Sequence, residues 1–312
     1  MKRTLAKAFL ATAGGLAVTA AANRALEGMA PDLAPPLPGE SNTYRWRGID
    51  AGYTEAGDPA DRDLVLLHGI NAAGTSYEFE PVVSDLAEDY HVIAPDLPGY
   101  GRSERPPLVY SASLYESFVE SFLDDVAEDP VVVASSLTGA YAVSAAERVG
   151  VERLVLVCPT DQSLPWRRLS LRTLLRSPLV GTALFNLIVS KPSIRRNMLD
   201  HGYYDAAALD DDELDYLWAT GHQGGARYAP ASFVSGYLDP EMDLSKAIRD
   251  LDVPVTLLWG REAETTPLSD GRTLADETDA RLVVIDYAKL LPHAEHPEEF
   301  VDWLRGEVPA QA

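Results

Sequence analysis

The stretch Val131-Val132-Val133-Ala134-Ser135-Ser136-Leu137-Thr138-Gly139 changes character within two residues. Val131–Val133 is β-branched and apolar, the composition of a strand buried on both faces. Residues 137–149 are rich in alanine and predict a helix. Ser136 falls on the junction. A serine on such a sharp strand-to-helix turn sits in a strained backbone conformation with its hydroxyl at the end of the strand. The Leu137 N–H, at the start of the helix, then faces the same space as an anion donor.

Outward from this turn, strands and helices alternate. Asp63–Leu67 and His91–Ala94 are short apolar runs before it, and Arg153–Val157 follows. Helical spacing occupies residues 75–88 and 112–127. Tyr44–Arg47 and Ala51–Thr54 read as edge strands around a turn. The alternation stops from about Asp161 to Asp250 and resumes with Val253–Trp259, a helix over 268–277, Arg281–Ile285 and a helix over 297–306. This pattern predicts an α/β fold: a mostly parallel, eight-stranded sheet with helices on both faces. The interruption predicts a helical cap over 161–250, so the core is 44–160 and 251–312.

Ligands of open α/β sheets bind beyond the C-terminal strand ends. One such end carries His68-Gly69-Ile70, where the glycine permits a sharp turn that aims the Ile70 N–H into the crevice. His68 itself reads as a structural turn residue. Another carries Pro95-Asp96-Leu97-Pro98-Gly99-Tyr100-Gly101-Arg102-Ser103, where Asp96 reads as a structural hydrogen-bonding residue.

With these blocks in this order, the chain resembles the α/β-hydrolase superfamily over about residues 44–306, in its capped serine hydrolase branch. The resemblance implies a Ser-acid-His triad with Ser136 as nucleophile and the Ile70 and Leu137 amides as oxyanion donors. It argues against the carboxylate nucleophile of dehalogenases and epoxide hydrolases. The usual elbow is G-x-S-x-G; Ala134 and Thr138 stand at its glycines. The implied acid position is Ala263, in Gly260-Arg-Glu-Ala-Glu-Thr-Thr-Pro267. The implied histidine position is Leu290, ahead of Pro292-His293-Ala294-Glu295-His296-Pro297. A serine hydroxyl needs a base, so substitutes are expected. Glu264 is the tentative acid, with Glu262 and Asp161 as alternatives. His293 is the tentative base, with His201 and His222 in the cap as alternatives.

Two functions remain open on these residues. One is a hydrolase for a small apolar ester-like substrate with a non-standard triad. The other is a catalytically inactive binding or interaction protein on the same scaffold. Lyase chemistry would still need the histidine, and Leu290 counts against it. No motif calls for a cofactor, and the single cysteine, Cys158, excludes a cysteine-based zinc site and reads as a small buried hydrophobe.

The formal net charge is −22, from 48 acids, 21 arginines and five lysines. Such a surface repels nucleic acid and resembles the lysine-poor, acidic proteins of halophiles. Residues 1–24 differ, with four basic residues, no acid, and an uncharged run from Ala8 to Ala22. Residues 1–27 therefore read as a signal-like or membrane-associated segment, or as an N-terminal helix docked on the body. Export or membrane association and a cytoplasmic location both stay open. Residues 28–43, proline-rich, read as a linker.

Overall fold

The computed structural model describes residues 2–307, with side chains from Gly15 onward. The basic start Met1-Lys2-Arg3 lies outside the described side chains. Eight strands form one sheet: β1 (Glu40–Trp46), β2 (Ile49–Ala56), β3 (Asp63–Leu67), β4 (His91–Pro95), β5 (Val131–Ser135), β6 (Arg153–Val157), β7 (Val255–Gly260) and β8 (Arg281–Ile285). Their order is β1-β2-β4-β3-β5-β6-β7-β8. β2 is antiparallel to both β1 and β4, and the remaining pairs are parallel. The predicted architecture is therefore the observed one.

The sequence explains the two-sided burial. Successive residues of a strand point to opposite faces. On one face Val65, Leu67, Val132, Ala134, Leu154, Leu156 and Leu257 join the core under α3 (Ala112–Val126) and α4 (Thr138–Ala146). On the other, Leu64, Leu66, Val131, Val133, Val155 and Val157 meet Phe79, Val83 and Phe300. Phe79 closes a single 3₁₀ turn, Ser76–Phe79, that leads into α2 (Glu80–Leu86), so the helix read over 75–88 is shorter and begins as a tighter coil. Cys158 is buried at the end of β6, and burial pushes its thiol up to about 12.

Between β6 and β7 the chain forms helices α5 (Leu169–Arg176), α6 (Val180–Ile188), α7 (Lys191–Asn197), α8 (Asp211–Gly221), α9 (Tyr228–Phe233) and α10 (Leu244–Arg249). A small apolar cluster of Phe185, Val189, Ile194, Leu214 and Leu217 holds this insertion together and includes Ala73 from the loop after β3. The insertion is thereby seated against the crevice. The fold closes with α11 (Leu268–Thr278), α12 (Pro292–Glu295) and α13 (Pro297–Glu307).

At the other end, α1 (Lys2–Met29) rests on the insertion. Asn23 Nδ2 donates to the Leu179 carbonyl at 3.0 Å, and Asn186 Nδ2 donates to Asn23 Oδ1 at 3.2 Å. No described helix is long and apolar enough to cross a membrane.

Candidate active site

Ser136 has φ +54°, in the left-handed region that costs a serine roughly 1–3 kcal/mol. Neighbouring backbone enforces it. The Ser136 N–H donates to the Val157 carbonyl at 2.8 Å, and its own carbonyl accepts from Gly139 and Thr160. Both predicted anion donors stand at hand: among the described residues, neither the Ile70 nor the Leu137 N–H has an internal acceptor.

The turn after β3 is equally fixed. His68 Nδ1 lies 2.8 Å from the Gly69 carbonyl and Nε2 accepts from the Leu97 N–H at 3.0 Å, so both ring nitrogens are committed to structure. Asp96, fully buried, accepts from Thr75 Oγ1, the Ser76 N–H and the Arg102 N–H. Thr138, at the elbow's second glycine place, donates its hydroxyl to the His68 carbonyl at 2.8 Å. The extra bulk at that place is thus a link between two turns.

A cavity of about 100 Å³ opens over the elbow. Ser136, Ile70, Met198, Leu217, Leu290 and Leu291 line it, together with three titratable groups: His201, Glu78 and Glu213. His201 sits in a π-helical turn, Met198–Gly202, that ends α7. Such wide turns redirect side chains and recur at functional sites. Its Nδ1 lies 3.1 Å from Thr265 Oγ1, in the loop after β7, and its carbonyl accepts from the Leu290 N–H at 3.3 Å. The imidazole of the insertion thus stands beside the residue where the resemblance places a histidine. No hydrogen bond joins His201 to Ser136 Oγ among the described residues.

The other expected site residues fall elsewhere. Glu264 is 75% exposed, with Oε1 4.0 Å from Lys289 Nζ. Glu262 Oε2 accepts from the Ala288 N–H, and Asp161 from the Leu244 N–H. His222 stacks on Trp218 and bonds its carbonyl. His293 is wholly buried between Phe79 and Phe300, its Nε2 3.3 Å from Glu78 Oε1. None of these five lines the cavity that holds Ser136.

Glu78 has no signal in the sequence, being one acid among many on a helix-like segment. It accepts the Gly69 N–H at 2.8 Å and is hydrogen-bonded to the Ser135 side chain. Burial works against its charge, but His293, Ser135 and Gly69 outweigh burial and hold its carboxyl below the usual range. A carboxylate–imidazole pair therefore exists beneath the elbow, attached to Ser135.

Glu213, on α8, shows the opposite behaviour. Burial, above all, pushes its carboxyl up to about 7, against the hydrogen bonds from Tyr203 Oη to both carboxyl oxygens at 3.1 Å. A carboxyl raised in the fold favours the protonated form. Its stabilising contribution is complete below the ordinary value near ~4.3 and is lost as pH rises through 7. Glu213→Gln should therefore melt progressively higher than the parent as pH is taken from 5 to 8. A melting difference that stays constant across that range would contradict this.

The site can be set beside known proteins. The alpha/beta hydrolase family matches residues 64–303. The chain belongs to that family. "Uncharacterized hydrolase YugF" of Bacillus subtilis is 25% identical, over 80% of this chain and 91% of its own. A "2-hydroxy-6-oxo-6-phenylhexa-2,4-dienoate hydrolase" of Burkholderia cepacia is 25% identical, over 83% of this chain and 89% of its own. Among solved structures, a serine hydrolase involved in carbazole degradation superposes with a TM-score of 0.68 at 18% identity, covering 86% of this chain and 97% of that one. Hydrolases are among the chain's relatives.

Proposed function

We propose that this α/β-hydrolase-fold protein is a serine hydrolase for a small uncharged acyl compound, with His201 as base in place of the expected His293. The observation that carries the reading is that strained Ser136 and Thr265-anchored His201 line one cavity. With His201 Nδ1–H donating to Thr265, Nε2 keeps its lone pair for the Ser136 proton. Ser136 Oγ adds to the substrate carbonyl while His201 takes that proton. The carbonyl oxygen gains charge between the Ile70 and Leu137 N–H groups, where one such donor is worth about 10²–10³ in rate. His201 then protonates the leaving group, and water repeats the cycle on the acyl-serine. Thr265 takes the orienting place of an acid, in the loop where Glu264 was expected to act.

Substrate charge follows from the lining. Glu78 and Glu213 are present and no lysine or arginine is. That lining disfavours a carboxylate such as the dienoate in the Burkholderia relative's name and favours a neutral, short-chain ester.

A second reading, binding without turnover, is favoured by Ala263 and Leu290 at the implied triad places and by the missing Ser136–His201 hydrogen bond. Fluorophosphonate treatment separates the two. The first reading expects an adduct on the peptide containing Ser136, absent in Ser136→Ala. Unlabelled but folded protein, stabilised by small esters that it leaves intact, would establish the second.

A further inference from the structure

The insertion, residues 161–250, holds ten basic and twelve acidic side chains, but they are segregated along it. Residues 162–199 contain seven basic side chains and no acid, in a protein of net charge −22. Four of the seven are neutralised by acids: Arg167 by Glu241, Lys191 by Asp215, Arg195 by Asp211 and Arg196 by Asp200. Three are not. Arg168 occupies the N-cap of α5, and Arg172 and Arg176 stand four residues apart on one stripe of it. Each lies over an aromatic ring, Trp166, Tyr237 and Tyr228 respectively, and has no carboxylate partner among the described residues.

Exposed apolar side chains surround this stripe. Trp166 and Leu169 flank it at 55% and 58% exposure, and Val180 and Leu187 extend the surface along α6 at 46% and 68%. Arg176 donates to the Pro107 and Leu108 carbonyls, which brings Val109, 59% exposed, to the same edge. Helix α1, with its uncharged run, packs on α6.

We infer that the arginine stripe of α5 and its apolar border form a docking surface for an anionic lipid bilayer. The Arg168 and Arg172 guanidinium groups, held on aromatic rings, keep their donors for lipid phosphates, whereas Arg176, whose donors meet the Pro107 and Leu108 carbonyls, adds its charge. Trp166, Leu169 and Leu187 would enter the headgroup–acyl boundary, as the apolar side of an interfacial helix does. The acidic face of a second copy would satisfy the arginines but leave those apolar groups against carboxylates. The acidic body, repelled by the membrane, orients the molecule with the insertion towards it.

Flotation of the full chain with phosphatidylglycerol vesicles, phosphatidylcholine vesicles and no vesicles tests this. Binding is expected to phosphatidylglycerol and to weaken with salt. Arg168→Gln/Arg172→Gln/Arg176→Gln should reduce it about 100-fold, from roughly one factor of ten or less per basic residue at the surface. Leu169→Ser/Leu187→Ser should weaken it with the charge intact. Unchanged melting temperatures show that both variants fold. Equal binding to the two lipids, or binding indifferent to the arginine changes because α1 alone carries it, would overturn the inference. So would arginine-dependent dimers without vesicle binding.

Discussion

His201→Gln should lower kcat/KM on a short neutral ester by about 10²–10⁴-fold, the usual contribution of a positioned base. Ser136→Ala should remove turnover to the level of the uncatalysed reaction plus what the oxyanion donors alone supply. The two losses should not add, because nucleophile and base act as one unit. Glutamine preserves the size of the imidazole and a polar contact for Thr265 Oγ1, which isolates proton transfer from packing. If His201→Gln retains parental kcat/KM while Ser136→Ala is dead, another group takes the serine proton.

The buried pair beneath the elbow gives the second large effect. His293→Ala leaves Glu78 charged, buried and short of one partner, a change that typically costs about 3–5 kcal/mol. Chemical denaturation should show it as a lower midpoint with an unchanged slope. The sign of the pH dependence follows from the lowered carboxyl of Glu78. A carboxyl depressed in the fold stabilises fully above its ordinary value near ~4.3, and that contribution disappears as pH falls through the folded value. His293→Ala should therefore cost most at neutral pH and least in acid. Glu78 also holds the Gly69 N–H, next to Ile70, so turnover should fall with stability. An unchanged denaturation midpoint in His293→Ala at pH 7 would show that the pair is not structural.

The fold was legible because its signals are local. Short β-branched runs ending in glycine, proline or serine define buried strands, and their order leaves few topologies. Ser136 was legible for the same reason, since the change from valines to alanines marks the elbow. The partners of Ser136 were not. His201 and Thr265 are 64 residues apart and meet only because α7 ends in a π-helical turn, which no local pattern announces. Matching a motif led instead to His293 and Glu264. One is enclosed by Phe79 and Phe300, and the other reaches toward Lys289 at the surface. Glu78 was invisible among acids whose charge the composition already explained. Thr138 was legible as a residue at a glycine place, but not as a link, because the carbonyl that receives its hydroxyl lies 70 residues away.

That hydroxyl changes how the elbow behaves as a mechanical object. The 2.8 Å bond from Thr138 to the His68 carbonyl braces the segment after β5 against the segment after β3, beside the bridge that Glu78 makes between Gly69 and Ser135. Any displacement of the His68–Ile70 corner is handed to the first turn of α4, and the reverse. The corner that carries the Ile70 amide and the turn that carries the Leu137 amide are therefore coupled before any ligand arrives.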